Sequence, residues 1–173
     1  MASSNTHPWQ EAASFAARAH RHQLRKDGST PYIAHPIRVA MTIRHVFACE
    51  DVGAICAGML HDTIEDTTTD YDDLLTHFGR DIADIVAALT KNMALPEHER
   101  EIDYDRRLGA ADWRARLVKL ADVFDNLCDS RDLSPESAAK LPGRIKRAIA
   151  LAGEDRSKHP EMDRAVRALE VLR

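Results

Sequence analysis

The amino-acid sequence predicts an all-α protein, and three observations support that prediction. Strand signals are nearly absent, since the chain has no convincing run of alternating β-branched residues and no Asn-Gly hairpin turn. Apolar residues recur at helical spacing along most of the chain. Proline, aspartate and glycine stand where helices commonly begin or end. We therefore expect a single helical domain over residues 1–173, without an internal repeat or a linker.

The first two predicted helices are separated by a turn. Trp9–Leu24 forms the first helix, with Pro8 near its start. The segment Asp27–Pro31 has the glycine, serine and proline content of a turn. Pro36 opens the second helix at its first position. Proline is favourable there because a backbone N–H at this position has no partner within the helix. Apolar residues continue this helix as far as Val46.

The next predicted segments depend on capping residues. Asp51 is the expected N-cap of a buried helix over Val52–Leu60. Asp70 is the expected cap of a short helix that Gly79 terminates. Helical periodicity continues through the second half of the chain. The helices predicted there are Asp81–Thr90, Glu97–Leu108, Trp113–Leu127, one from Pro135 through Leu151, and Glu161–Leu172.

Composition and charge exclude several classes of protein. Hydrophobic residues make up 44% and charged residues 30% of the chain, which is typical of globular domains. The net charge of −4 argues against non-specific nucleic-acid binding, which needs a dense basic surface. Apolar runs such as Val52–Leu60 are far shorter than the roughly 20 residues that cross a bilayer. With three cysteines outside any CxxC spacing and no secretory signal, we expect a cytoplasmic protein with no membrane partner.

The segment His61–Asp66 (HDTIED) carries the strongest chemical signal. Residues four apart share a helix face, so His61 lies above Glu65. Asp62 lies above Asp66 for the same reason. The segment follows a buried apolar run, and buried carboxylates are costly unless they are paired or bound to a metal. A divalent cation would stabilise this arrangement, whereas the alternative is a solvated acidic helix end.

Further metal ligands are expected elsewhere in the chain. His35 lies between two prolines directly before a helix, which suits a positioned ligand, although a structural role at the helix start is the alternative. Asp122 lies inside an apolar helical run and needs a partner, and Asn126 follows one turn later on the same face. Two histidines and two aspartates would form a mixed nitrogen and oxygen shell. Such a shell suits Mn²⁺, Fe²⁺ or Zn²⁺, and an oxygen-rich, partly open site favours Mn²⁺.

An ordered set of motifs resembles a known family. In chain order the motifs are His20–Lys26 (HRHQLRK), Pro31–Pro36 (PYIAHP), His61–Asp66 (HDTIED), His77–Gly79 (HFG) and Leu117–Leu127 (LVKLADVFDNL). This order resembles the hydrolase domain of the RelA/SpoT-type proteins, which are HD-domain metal-dependent phosphohydrolases. In length the chain is similar to the stand-alone small alarmone hydrolases. The resemblance covers about residues 9–150 and implies a helical HD fold with a metal site between helices.

The resemblance also implies a role for each matching residue. The positions of the metal ligands, usually for Mn²⁺, are held by His35, His61, Asp62 and Asp122. The acidic pair that activates and orients the attacking water corresponds to Glu65 and Asp66. The residues that contact the guanine nucleotide substrate correspond to Arg25, Lys26 and Asn126. The implied reaction removes the 3′-pyrophosphate of ppGpp or pppGpp, giving GDP or GTP and pyrophosphate.

The sequence departs from the family pattern in two places, which leaves alternatives open. Val123 and Asp125 replace residues that are often basic and aromatic in the family, and we expect them to adjoin the site rather than form it. Residues 91–112 match only loosely and either border the pocket or form a solvated charged helix. One alternative function is hydrolysis of another nucleotide, such as the 2′-phosphate of NADPH. A second is a nucleotide sensor without turnover, against which the intact Glu65 and Asp66 argue.

Overall fold

In a computed structural model, the protein is described over residues 7–129 and 135–172, and its regular elements there are helices. A π-helical turn over Thr42–Val46 extends the second helix. The α-helices are α1 (Pro8–Ala19), α2 (Ala34–Met41), α3 (Val52–Leu60), α4 (Thr63–Asp66), α5 (Tyr71–Leu89), α6 (Glu97–Ala110), α7 (Trp113–Cys128), α8 (Pro135–Ala152), α9 (Asp155–Lys158) and α10 (Pro160–Val171). The predicted all-α fold is therefore confirmed.

Helix α3 lies at the centre of the core. Its residues are almost all apolar, which is typical of a helix that neighbours cover on every side. Helices α1, α2, α5 and α7 all pack against it. Because α3 ends at Leu60, the next two residues, His61 and Asp62, leave the helix inside the protein. The core thus determines where the acidic segment begins.

The predicted capping residues stand at the ends of their helices. The Asp51 side chain accepts a hydrogen bond of 2.7 Å from the backbone N–H of Ala54 at the start of α3. Asp70 caps α5 through a bond of 2.9 Å from the N–H of Asp73. Gly79 kinks α5 with a φ of 78°, a left-handed conformation that glycine adopts without strain. Local sequence signals therefore determine two helix starts and one kink, and the two helices predicted on either side of Gly79 form the single kinked helix α5.

Two predicted boundaries near the N-terminus are wrong. Helix α1 ends at Ala19 instead of Leu24, because the following residues turn back on themselves. Leu24 pairs with Pro31 in an isolated antiparallel bridge, and the N–H of Tyr32 donates to the carbonyl of Gln23 at 2.9 Å. Helix α2 begins at Ala34, before the predicted Pro36, which places His35 inside the first helical turn.

The later helices agree closely with the predicted ranges, apart from one element. The short helix α9, which precedes α10, carries no strong sequence signal and was not predicted. Helix α8 extends to Ala152, and α10 begins at Pro160. Across the described residues, the helices are too short or too polar to cross a lipid bilayer.

Arg116 of α7 joins three parts of the chain through a buried network. Its guanidinium donates to the backbone carbonyls of Leu108, Gly109 and Ala111 at the end of α6, at 2.8, 3.1 and 2.8 Å. It also pairs with Asp155 of α9 at 2.5 Å. This network explains how a charged residue is tolerated at a buried position.

We expect Arg116→Met to lower the free energy of unfolding by about 3 kcal/mol, because it leaves a carboxylate and several carbonyls unpaired. Urea denaturation followed by circular dichroism measures this loss. The matched control is Arg106→Met, which removes an exposed arginine of α6 whose ion-pair partner among the described residues is Asp103. The control is expected to change stability by less than about 0.5 kcal/mol. Equal losses for the two variants would contradict the structural role of Arg116.

Candidate active site

Four side chains from three helices converge on one point, and we call them the His–Asp cluster: His35, His61, Asp62 and Asp122. His35 lies in the first turn of α2, His61 and Asp62 follow α3, and Asp122 lies in α7. The Nε2 atom of His35 is 3.6 Å from Asp62 Oδ2 and 3.3 Å from Asp122 Oδ1. The Nε2 atom of His61 is 3.0 and 4.0 Å from the same two oxygens. One atom each of His35, His61 and Asp62 lie within 4.8 Å of one another, which is close enough to hold one metal ion.

The orientation of the two imidazoles fits a bound cation. The Nδ1–H of His61 donates to the carbonyl of Gly58 at 2.9 Å, and that of His35 donates to the carboxylate of Asp125 at 2.7 Å. Each imidazole, when neutral, therefore presents the lone pair of its Nε2 to the carboxylates of the cluster. The buried Nε2 of His61 has no partner in hydrogen-bond geometry among the described residues, although Asp62 Oδ2 lies 3.0 Å away. Lone pairs and carboxylates repel one another unless positive charge lies between them, so this donor set fits a divalent transition metal.

The electrostatics of the cluster also favour positive charge. Burial alone would lower the pKa of His61, but the carboxylates of Asp62 and Asp122 raise it to about 9. Burial alone would raise the pKa of Asp62, but the histidine rings lower it to about 2. The pKa of Asp122 also lies well below its ordinary value, chiefly because Lys119 opposes the effect of burial. The cluster therefore favours ionised aspartates and favours positive charge beside them.

The predicted acidic pair flanks this cluster on two sides. Glu65 accepts a hydrogen bond of 2.9 Å from the backbone N–H of Lys91. Asp66 lies 3.3 Å from the hydroxyl of Tyr32, which also donates to Asp62 Oδ2 at 2.6 Å. Burial raises the pKa of both Glu65 and Asp66, and the charge of Asp62 raises each further. Both carboxylates thus have the raised proton affinity that suits a general base.

The predicted nucleotide contacts lie at the edge of the site. Arg25 makes hydrogen bonds of 2.8 and 3.2 Å to Asp129 and of 3.4 Å to the side chain of Asn126. Its guanidinium also lies over the ring of Tyr32, 5.6 Å from the centroid. Lys26 is exposed beside Arg25 and forms no hydrogen bond or ion pair with a described residue. The structure therefore brings Arg25 and Asn126 together and leaves Lys26 in solvent.

Asp122 is held by two neighbours on its own helix. Asn126 donates to Asp122 Oδ1 at 2.5 Å, and the ammonium of Lys119 contacts Oδ2 at 2.8 Å. Lys119 was assigned no role from the sequence. Its position three residues before Asp122 was an available signal, because residues three apart share a helix face.

Two further side chains were assigned no role from the sequence. Tyr32 belongs to the PYIAHP motif, and its hydroxyl links Asp62 with Asp66. Asp125 was expected to adjoin the site, and its buried carboxylate does so by accepting hydrogen bonds from the metal-ligand candidate His35 and from Arg38. Val123, which was given the same expectation, is buried in the hydrophobic core.

Residues 91–112 border the site at some positions and face solvent at others. Lys91 supplies the N–H that holds Glu65, and its ammonium pairs with Glu101 at 2.7 Å. Tyr104 is buried, with the ammonium of Lys119 5.7 Å from its ring centroid. Other charged residues of α6, such as Arg106, remain exposed.

Comparison with known proteins identifies the family. The HD-domain profile matches residues 12–147. The chain belongs to the HD-domain family. In the two relatives given next, the matching region covers most of both proteins. The guanosine-3′,5′-bis(diphosphate) 3′-pyrophosphohydrolase MESH1 of Xenopus tropicalis is 42% identical over 127 residues, or 73% of this chain and 71% of that protein.

Other relatives and solved structures agree with this assignment to the HD-domain family. Homo sapiens MESH1 is 43% identical over 127 residues, with the same coverage of 73% and 71%. A structure of a metazoan ortholog of SpoT, described as hydrolysing ppGpp, has a TM-score of 0.80 and 26% identity, covering 97% of this chain and 96% of that one. A structure from Listeria monocytogenes has a TM-score of 0.63 and 26% identity, covering 82% and 95%.

Proposed function

We propose that this HD-domain protein removes the 3′-pyrophosphate of ppGpp and pppGpp, giving GDP or GTP and pyrophosphate. The observation that carries the proposal is the His–Asp cluster, with Glu65 and Asp66 beside it, in a chain that is similar to MESH1 over most of its length. The similarity in structure to the metazoan SpoT ortholog supports the same activity. We also propose that residues 1–173 form one HD phosphohydrolase domain.

The proposed cation is Mn²⁺, held by the four residues of the His–Asp cluster. Two imidazole nitrogens and two carboxylate oxygens suit this ion when part of its shell stays open for water and substrate. When bound, the cation neutralises charge on the phosphoryl oxygens and lowers the pKa of a nearby water.

The side chains around the cluster transfer the proton and position the carboxylates. Glu65 takes a proton from the attacking water. The Tyr32 hydroxyl contacts Asp62 and Asp66 and so fixes the position of these two carboxylates relative to each other. The water oxygen bonds to the phosphorus attached to the 3′ oxygen of the ribose. The bond between that phosphorus and the 3′ oxygen breaks, and the 3′ oxygen gains a proton. Pyrophosphate leaves with the oxygen that came from water.

The proposed nucleotide contacts are Arg25, Lys26 and Asn126. The substrate carries several negative charges, and a guanidinium binds phosphate oxygens through two hydrogen bonds at once. Arg25 is already oriented by Asp129 and Asn126, so little side-chain entropy is lost when the nucleotide binds. Lys26 supplies a second positive charge at the solvent edge.

A substrate panel tests the proposed function. Purified protein with Mn²⁺ is incubated separately with ppGpp, GTP and NADPH, and the products are separated by ion-exchange chromatography. We expect GDP and pyrophosphate in equal amounts from ppGpp, and kcat/KM at least about 100-fold lower for the other two nucleotides. Chelation of the metal by EDTA is expected to stop turnover.

Two results would contradict the proposal. Release of orthophosphate from NADPH without turnover of ppGpp would assign the site to a different phosphate ester. Tight binding of ppGpp without any product would indicate a sensor rather than an enzyme.

A further inference from the structure

A charged cluster behind His35 connects the metal site to the nucleotide site. Asp125 of α7 lies between two residues of α2, with its side chain only 5% exposed. One carboxylate oxygen accepts from Nδ1 of His35 at 2.7 Å and from Nη2 of Arg38 at 3.0 Å. The other accepts from Nε of Arg38 at 2.6 Å. Both oxygens of this buried carboxylate are therefore hydrogen-bonded.

The cluster continues from Arg38 towards Arg25. Nη2 of Arg38 donates to Asp129 at 2.8 Å, and Nη2 of Arg25 donates to the same oxygen at 2.8 Å. An uninterrupted series of hydrogen bonds thus runs from a metal-ligand candidate to a nucleotide-contact candidate. His35 and Arg38 are three residues apart on α2. Asp125 and Asp129 are four apart, and Asp129 directly follows the last residue of α7, so each pair lies on the side of its helix that faces the other helix.

The contact between Asp125 and His35 has a specific consequence for the imidazole. A carboxylate that accepts from Nδ1–H keeps the proton on that nitrogen and leaves the lone pair on Nε2. It also fixes the ring plane and makes Nε2 a stronger electron donor. The Nε2 atom of His35 is the one that faces Asp62 and Asp122.

We propose that Asp125 is a positioning residue that holds His35 for metal binding, and that Arg38 holds Asp125 in turn. The proposal rests on the proposed metal-dependent function. It gives a role to two residues, Asp125 and Arg38, that were assigned none from the sequence. Neither Asp125 nor Arg38 needs to contact the cation or the substrate.

Titration of the metal-free protein with Mn²⁺ tests this role, with the electron paramagnetic resonance signal of free Mn²⁺ as the readout. Asp125→Leu is expected to weaken Mn²⁺ binding by about 100-fold, and Asp125→Asn, which keeps a hydrogen-bond acceptor, by about 10-fold. Arg38→Met is expected to weaken binding in the wild-type background and to have no further effect in Asp125→Leu, because both changes remove the same support.

A second readout separates positioning from general stability. Nitrogen-15 NMR of the metal-free protein, recorded at a pH at which His35 is neutral, reports which nitrogen of this ring carries the proton, and Asp125→Leu is expected to lose the preference for Nδ1–H. The matched control is Asp155→Asn, which weakens another largely buried arginine–aspartate pair, between α7 and α9. This control is expected to leave Mn²⁺ affinity unchanged within about twofold, since it touches no residue of the His–Asp cluster.

The possible results test the positioning role of Asp125 separately from the proposed hydrolysis of ppGpp. Wild-type affinity in Asp125→Leu, or equal weakening in Asp155→Asn, would overturn the role of Asp125 and leave the proposed hydrolase intact. Failure of the wild-type protein to bind Mn²⁺ or another divalent cation would overturn both. Mn²⁺ binding that depends on Asp125, without hydrolysis of ppGpp, would support the positioning role and contradict the proposed function alone.

Discussion

Replacing Asp62 with asparagine is expected to abolish Mn²⁺ binding and to lower kcat/KM for ppGpp by at least about 10³-fold. Asp62 Oδ2 lies near the Nε2 atoms of both cluster histidines, at 3.6 and 3.0 Å, so its charge is central to the cluster. A cation in such a site contributes several kcal/mol of transition-state stabilisation, and about 4 kcal/mol corresponds to this factor in rate. Isothermal titration calorimetry measures the metal binding, and pyrophosphate release measures the activity.

The fold is expected to survive this substitution. Asparagine keeps an oxygen that accepts from the Tyr32 hydroxyl, and it removes one of several clustered negative charges. The matched control is Asp84→Asn, because Asp84 also accepts from a tyrosine hydroxyl, that of Tyr71 at 2.6 Å, but on the exposed surface of α5. The control is expected to retain metal binding and activity. Full activity in Asp62→Asn would contradict the assignment of the His–Asp cluster.

Replacing Glu65 with glutamine is expected to lower kcat by about 10²- to 10⁴-fold while the affinity for Mn²⁺ stays unchanged. Glutamine still accepts the hydrogen bond from the N–H of Lys91, but it does not take a proton from water. The matched control is Glu101→Gln, which removes a carboxylate that contacts the same lysine through its ammonium. We expect this control to reduce kcat far less, since Glu101 takes no part in the proposed proton transfer.

The pH dependence provides a second test of Glu65. Burial raises the pKa of this carboxyl above its ordinary value of 4.5. A general base acts only when deprotonated, so activity falls as the pH drops through the raised pKa. The acidic limb of kcat/KM in the wild-type protein should therefore lie above pH 4.5, and Glu65→Gln should lack it. Retention of full activity by Glu65→Gln, with loss in Asp66→Asn, would show that the neighbouring carboxylate is the base.

Local signals account for most of the fold that the sequence predicts. Asp51, Asp70 and Gly79 act through their own backbone neighbours, so their positions in the sequence are enough to place two helix starts and the kink of α5. The end of α1 depends on contacts between residues that are distant in the sequence. Leu24 lies outside the helix because it pairs with Pro31. Helical periodicity reports only the spacing of apolar residues and does not predict this pairing.

The candidate site likewise combines residues that local sequence signals identify with residues whose role depends on contacts between distant parts of the chain. His35, His61, Asp62 and Asp122 were predicted as metal ligands because each combines a ligand type with an apolar or proline-rich setting, and the structure brings them together. Their roles remain proposals. The residues behind them were missed because their partners depend on how α2 packs against α7. Asp125 becomes a partner of His35 only after those two helices meet.

The most direct test of the account follows the fate of the water oxygen in the reaction. Wild-type protein and Mn²⁺ are incubated with ppGpp in ¹⁸O-labelled water, and the products are identified by mass spectrometry. The account predicts unlabelled GDP and pyrophosphate that carries one labelled oxygen. Orthophosphate as the product, labelled GDP, or unchanged ppGpp would contradict the proposed attack of water on the 3′-pyrophosphate.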